Sequence, residues 1–133
     1  MKKYLAQAAF GSSNSDVKYS MFIGRWQVWH EGHRWLIDQR LNEGKRVLLC
    51  IRDVEPDERN PWTAQEVLKN LSTELIDLVE QKVLKIIIIP DIESINIGRG
   101  VGYDVIEHIP PEEIRDISAT KLREQMKAEG KLW

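Results

Sequence analysis

The chain has 133 residues, 42% hydrophobic and 30% charged, which gives room for one domain with a single modest core and matches an ordinary soluble composition. Its 19 Lys and Arg against 21 Asp and Glu leave a net charge of −2, without the basic excess of a dedicated nucleic-acid binder. One cysteine, Cys50, excludes an internal disulfide framework and fits a reducing compartment, and no apolar run approaches membrane-spanning length. The expectation is a cytoplasmic domain with neither a nucleic-acid nor a membrane partner.

Residues 1–18 read as an N-terminal arm. Tyr4 to Phe10 is too short an apolar run for a signal peptide, and the polar Gly11–Asp16 follows at once. The domain proper is expected over 19–133. Tyr19–Ile23 predicts the first strand, and a helix over 33–43 stops at Gly44, a natural left-handed cap. Arg46–Ile51 is a continuous apolar run, as in a strand covered on both faces within a parallel sheet. A polar loop with Pro56, Asn60 and Pro61 leads to Thr63 and Glu66 at capping-box spacing. Val67, Leu68, Leu71, Leu75 and Val79 then recur at helical spacing, which is core packing, with Ser72 and Thr73 as points of interruption. Leu84–Ile89 predicts a buried strand, Tyr103–Ile109 a fourth, and a last helix runs from Ser118 to Gly130. Strands alternating with helices predict an α/β protein: a single small Rossmann-like domain, its parallel sheet flanked by helices.

The segment GRWQVWHEGH at 24–33 carries the chemistry. It joins the first strand to the first helix, where backbone N–H groups and the helix dipole favour an anion and glycine permits close approach. His30 and His33, three apart at the helix entrance, bring both imidazoles to nearly the same side. There they could donate to one phosphoryl group and stabilise the charge that spreads over its oxygens under attack. A zinc half-site is the bland alternative, but Cys50 lies in a strand and His108 far along the chain beside prolines, so no resident metal is expected. Two surface histidines are the other, which the glycines at 24 and 32 and the flanking arginine disfavour.

Ser118, Thr120 and Arg123 open the last helix with two hydroxyls and a guanidinium. Alone, this reads more readily as an ordinary capped helix than as a polyphosphate seat. Gly98–Gly102 is either a glycine-rich clamp with Arg99 on an acceptor phosphate or a turn; it does not open a helix, so the dinucleotide fingerprint does not apply. Trp29, Trp62 and Tyr103 are either stacking surfaces for a base or core.

Together, HxGH after the first strand and IS-x-T-x-x-R at the last helix resemble the nucleotidyltransferase superfamily, adenylyl- and cytidylyltransferases among them. GRWQ-x-x-H-x-GH looks like the GRFQPxHxGH of archaeal-type nicotinamide mononucleotide adenylyltransferases. Arg59–Ala64 is similar to their R-N/D-P-F-T-A segment, and Ile89–Glu93 to their IP and DIE. Val28 stands where the family has proline, Trp26 where it has phenylalanine, and the stretch between Glu93 and the last motif is shorter.

The resemblance implies that His30 and His33 bind the nucleotide's phosphates and stabilise the pentacoordinate α-phosphoryl, with Arg123 neutralising the departing pyrophosphate. It implies that Gly24, Arg25, Gln27, Gly32, Ser118 and Thr120 line the nucleotide or its phosphates, and that Arg59 handles phosphate of nucleotide or acceptor; Arg99 joins them only if the glycine-rich run is a clamp. The expected reaction is in-line transfer of a nucleoside monophosphate, AMP favoured, to a phosphorylated small molecule, with Mg2+ carried by the nucleoside triphosphate. CTP in place of ATP and a catalytically inactive nucleotide-binding module are the alternatives. A fragment of a class I aminoacyl-tRNA synthetase is disfavoured by the short chain and the missing KMSKS-like loop. A homo-oligomer is compatible, since a small parallel sheet leaves apolar surface to bury.

Overall fold

The computed structural model describes residues 17–100 and 102–115. Within them the order is β1 (Tyr19–Gly24), α1 (Glu31–Leu41), β2 (Arg46–Asp53), α2 (Ala64–Glu74), α3 (Ile76–Glu80), β3 (Leu84–Pro90) and α4 (Glu112–Arg115). The three strands form one parallel sheet in the order β1-β2-β3, so this part of the chain is α/β with helical crossovers between neighbouring strands. Among the described residues no helix is long and apolar enough to cross a membrane.

Strand pairing sets which side chains meet the helices. Val47, Leu49 and Ile51 of β2 are fully buried and lie beside Phe22 in β1 and Leu84, Ile86 and Ile88 in β3. This face joins Ile37 of α1 and Val67, Leu71 and Leu75 from the α2 region in one core. Cys50 alternates to the other face yet is also fully buried, and burial pushes its thiol pKa up to about 11, so it stays a protonated thiol.

Local chemistry places the ends. Thr63 and Glu66 form the expected capping box, with Thr63 Oγ1 accepting from the Glu66 amide at 3.1 Å and the Glu66 carboxylate accepting from Thr63 N–H at 3.0 Å. The interruption of the second helix falls at Leu75, just after Thr73 bonds back to the Lys69 carbonyl at 3.1 Å. Gly44, at φ +77°, turns the chain from α1 toward β2.

One expected element is corrected. Tyr103–Ile109 forms no strand, and Tyr103, Val105, Ile106 and Ile109 are exposed. The segment still reaches β1, where the His108 ring stacks on Phe22 at 6.1 Å, but it makes no backbone ladder there. It leads instead into α4, which was not expected and which contacts α1. The last expected helix lies outside the described residues.

Candidate functional site

The loop from β1 to α1 is built around a tryptophan in an unusual conformation. Trp26 has φ +49°, a region L residues rarely adopt, and two contacts hold it there. Its indole N–H donates to the buried Cys50 carbonyl at 2.9 Å, and its ring lies so close over Gly24 that a Cβ there would approach it to 2.9 Å. Gly24 is thus required by Trp26. The tryptophan N–H thus fastens this loop to β2.

Gln27 is equally constrained. Its amide nitrogen donates to the Trp62 carbonyl at 3.1 Å and its oxygen accepts from the Trp62 amide at 3.0 Å, all of it buried. This side chain ties the first loop to the loop after β2, so both of its polar ends are occupied by protein. Trp62 itself is core, 2% exposed. The second loop is closed by Asp57, whose Oδ1 accepts from the Arg59 and Asn60 amides at 2.8 and 2.7 Å; these bonds hold its carboxyl below the usual range.

The two histidines come together as the spacing requires. Their rings stack with centroids 3.8 Å apart at 23°. His30 is the N-cap of α1, and its Nδ1 accepts from the Gly32 amide at 3.0 Å. An accepting Nδ1 puts the proton of the neutral ring on Nε2, which becomes the donor that faces away from the helix. A Cβ on Gly32 would come within 2.8 Å of the His30 ring, so glycine is needed for the imidazole to fold onto its own helix. The Gly32 amide is therefore engaged by His30 rather than open to an anion. The imidazoles are the side-chain hydrogen-bond donors at this turn.

His33 lies deeper, edge-on to Trp26 at 5.0 Å and tilted against Trp29 at 5.2 Å. Its Nδ1 is buried with no hydrogen-bond partner among the described residues. Burial first, and the neighbouring His30 second, lower its pKa to about 3; burial also lowers that of His30. Both imidazoles are uncharged at neutral pH. They can donate hydrogen bonds, not positive charge.

Beside them an open cavity of about 310 Å³ lies at the carboxyl ends of β1 and β2, where open parallel sheets bind ligands. Its lining includes Gly24, Arg25, Trp26, Gln27, His33, Arg52 and Asn60. Arg25 is exposed and lines it. Arg59 sits on the exposed loop two residues past Asp57 and Arg99 on an exposed turn, and neither lines the cavity. The positions that Cβ atoms would take on Gly98, Gly100 and Gly102 are open space, so nothing in the described residues is clamped there. Ser118, Thr120 and Arg123 lie outside the described residues. No protein-family model, curated protein or solved structure matches this chain.

Two site residues were not legible in the sequence. Arg52 closes the apolar run of β2 and looked like the strand's polar end, and Asn60, 5% exposed, looked like a loop residue. The one available signal was the charge at the carboxyl end of a buried parallel strand. Among the described residues no three His, Cys, Asp or Glu side chains converge to hold a metal ion.

Proposed function

We propose that this chain is a nucleotidyltransferase of the HxGH type, with the fold of that superfamily, acting in the cytoplasm. It transfers a nucleoside monophosphate, AMP favoured over CMP, from a nucleoside triphosphate to a phosphorylated small molecule and releases pyrophosphate. The observation that carries the reading is the stacked, uncharged His30–His33 pair at the mouth of α1, beside a cavity at the carboxyl ends of β1 and β2.

The chemistry follows from that pair. An acceptor phosphate is already ionised at neutral pH, so the protein needs no strong base; it has to orient two anions and offset their repulsion. An acceptor oxygen attacks the α-phosphorus in line while the bond to the bridging oxygen of pyrophosphate breaks. His30 Nε2–H and His33 donate to the non-bridging oxygens as charge gathers on them, and fixed donors of this kind are each worth about 3 kcal/mol. Because the rings are uncharged, cationic help must come from arginines, Arg25 in the cavity and Arg123 by resemblance. Mg2+ would be held by the triphosphate oxygens and would offset their charge.

Pyrophosphate release from ATP and from CTP, measured against a panel of phosphorylated acceptors, tests the proposal. Release that requires one acceptor and consumes ATP in equal amount is expected. Triphosphate binding with no pyrophosphate released for any acceptor would leave the inactive nucleotide-binding module in its place.

A further inference from the structure

Of the two arginines that line the cavity, Arg52 has its orientation imposed by another segment of the chain. Its Nε donates to Asp91 Oδ1 at 2.8 Å, its Nη2 lies 2.7 Å from the same oxygen, and Nη2 also reaches the Ile92 carbonyl at 3.3 Å. Asp91 directly follows β3, whose last residue, Pro90, is paired with Asp53. The clamp therefore spans the carboxyl ends of two neighbouring strands. With Asp91 half-exposed, an ion pair of this kind adds little to stability, so its consequence is geometric. One edge of the guanidinium is fixed, and the Nη1 donors have no protein partner among the described residues.

The remaining lining decides what those donors meet. Arg25 brings a second guanidinium, close enough to the Asp57 carboxylate to help lower its pKa but in no direct ion pair among the described residues, and His33 an uncharged donor. Three donor groups from three backbone positions suit a tetrahedral anion with several terminal oxygens better than a planar carboxylate with two. A volume of about 310 Å³ is at the low end for a small-molecule pocket and has room for a phosphorylated fragment.

We infer that this cavity seats the phosphate monoester of the acceptor, bound by Arg25 and the Nη1 edge of Arg52, with Asp91 as the positioning residue that aims Arg52. Naming the group as the acceptor rests on the nucleotide-transfer reading; the anion seat itself does not.

The test titrates the full-length protein with methyl phosphate while a non-hydrolysable ATP analogue is saturating, reading the affinity by isothermal titration calorimetry, which serves wild type and every variant alike. Methyl phosphate is expected to bind alongside the nucleotide. Arg52→Met should weaken it at least tenfold and Asp91→Asn about threefold, both leaving the affinity for the ATP analogue within twofold. Arg52→Lys, which keeps the charge but loses the fork, covers the case in which the methionine variant fails to fold, and should fall between wild type and the tenfold loss. Unchanged methyl phosphate affinity in the Arg52 variants, acetate binding as tightly as methyl phosphate, or displacement of methyl phosphate by the nucleotide would each overturn the inference. Methyl phosphate bound through Arg52 in a protein that binds no nucleotide would instead keep the anion seat and overturn the nucleotide-transfer reading.

Discussion

Two loops leave the carboxyl end of the sheet, from its two outer strands, and behave in opposite ways. Residues 25–30, after β1, have three side chains fastened to backbone groups: the Trp26 indole to the Cys50 carbonyl, the Gln27 amide to both backbone groups of Trp62, and the His30 ring to the Gly32 amide. Residues 91–110, after β3, carry as much apolar side chain but leave Ile95, Ile97, Tyr103, Val105 and Ile109 more than half exposed. The difference lies in the partners. Each anchor of the first loop reaches a backbone group that a strand end or helix start leaves unpaired, and satisfying such a group in a buried place matters more than adding one more apolar contact.

That contrast can be broken from either side. Trp26→Ala removes both the large aromatic and the donor to Cys50, and should cost about 4 kcal/mol in a urea titration. A loss under 1 kcal/mol would mean that the positive φ at Trp26 is not held by its ring.

The next effect comes from pH. Folded His33 takes a proton only near pH 3, whereas the unfolded chain takes it near the ordinary 6.5. Between those values the unfolded state binds more protons. The stability is therefore complete above about pH 6.5 and drains away as pH falls toward 3, by roughly 3 kcal/mol at pH 4. Comparing wild type with His33→Gln isolates the term: the acid limb of stability against pH should be shallower in the variant. Identical slopes would place the imidazole in contact with water.

Gln27→Leu keeps the volume but leaves the Trp62 N–H and C=O without their partners, for an expected loss of about 2 kcal/mol. The counterpart in the other loop is Val105→Ser, 75% exposed in the parent, which should change the urea midpoint by an amount equivalent to less than about 0.5 kcal/mol. A large destabilisation by Val105→Ser would show that the second loop is packed after all.

The elements with strong local signals were legible in the residues alone. Both buried strands, β2 and β3, follow from their unbroken apolar runs, and the start of α2 from the Thr63–Glu66 spacing. The Tyr103–Ile109 segment misled because β-branched and aromatic composition describes what suits a pleated, half-buried surface, not whether a neighbour offers its backbone. In the site, the His30–His33 pairing was readable because both residues lie on one turn of one helix. Arg52 with Asp91, and Gln27 with Trp62, were not readable. Each pair joins segments more than thirty residues apart, and only the strand register brings them together.

The most direct test of the imidazole pair is the kinetics of His33→Ala, with pyrophosphate release giving turnover and equilibrium titration giving the Kd for the ATP analogue. Donation to the α-phosphoryl group in the transition state predicts kcat lower by about a hundredfold or more, on the scale of one lost oxyanion donor, with Kd changed less than threefold. Equal losses in kcat and in affinity, or turnover untouched, would contradict it and leave His33 as a packing residue beneath Trp26.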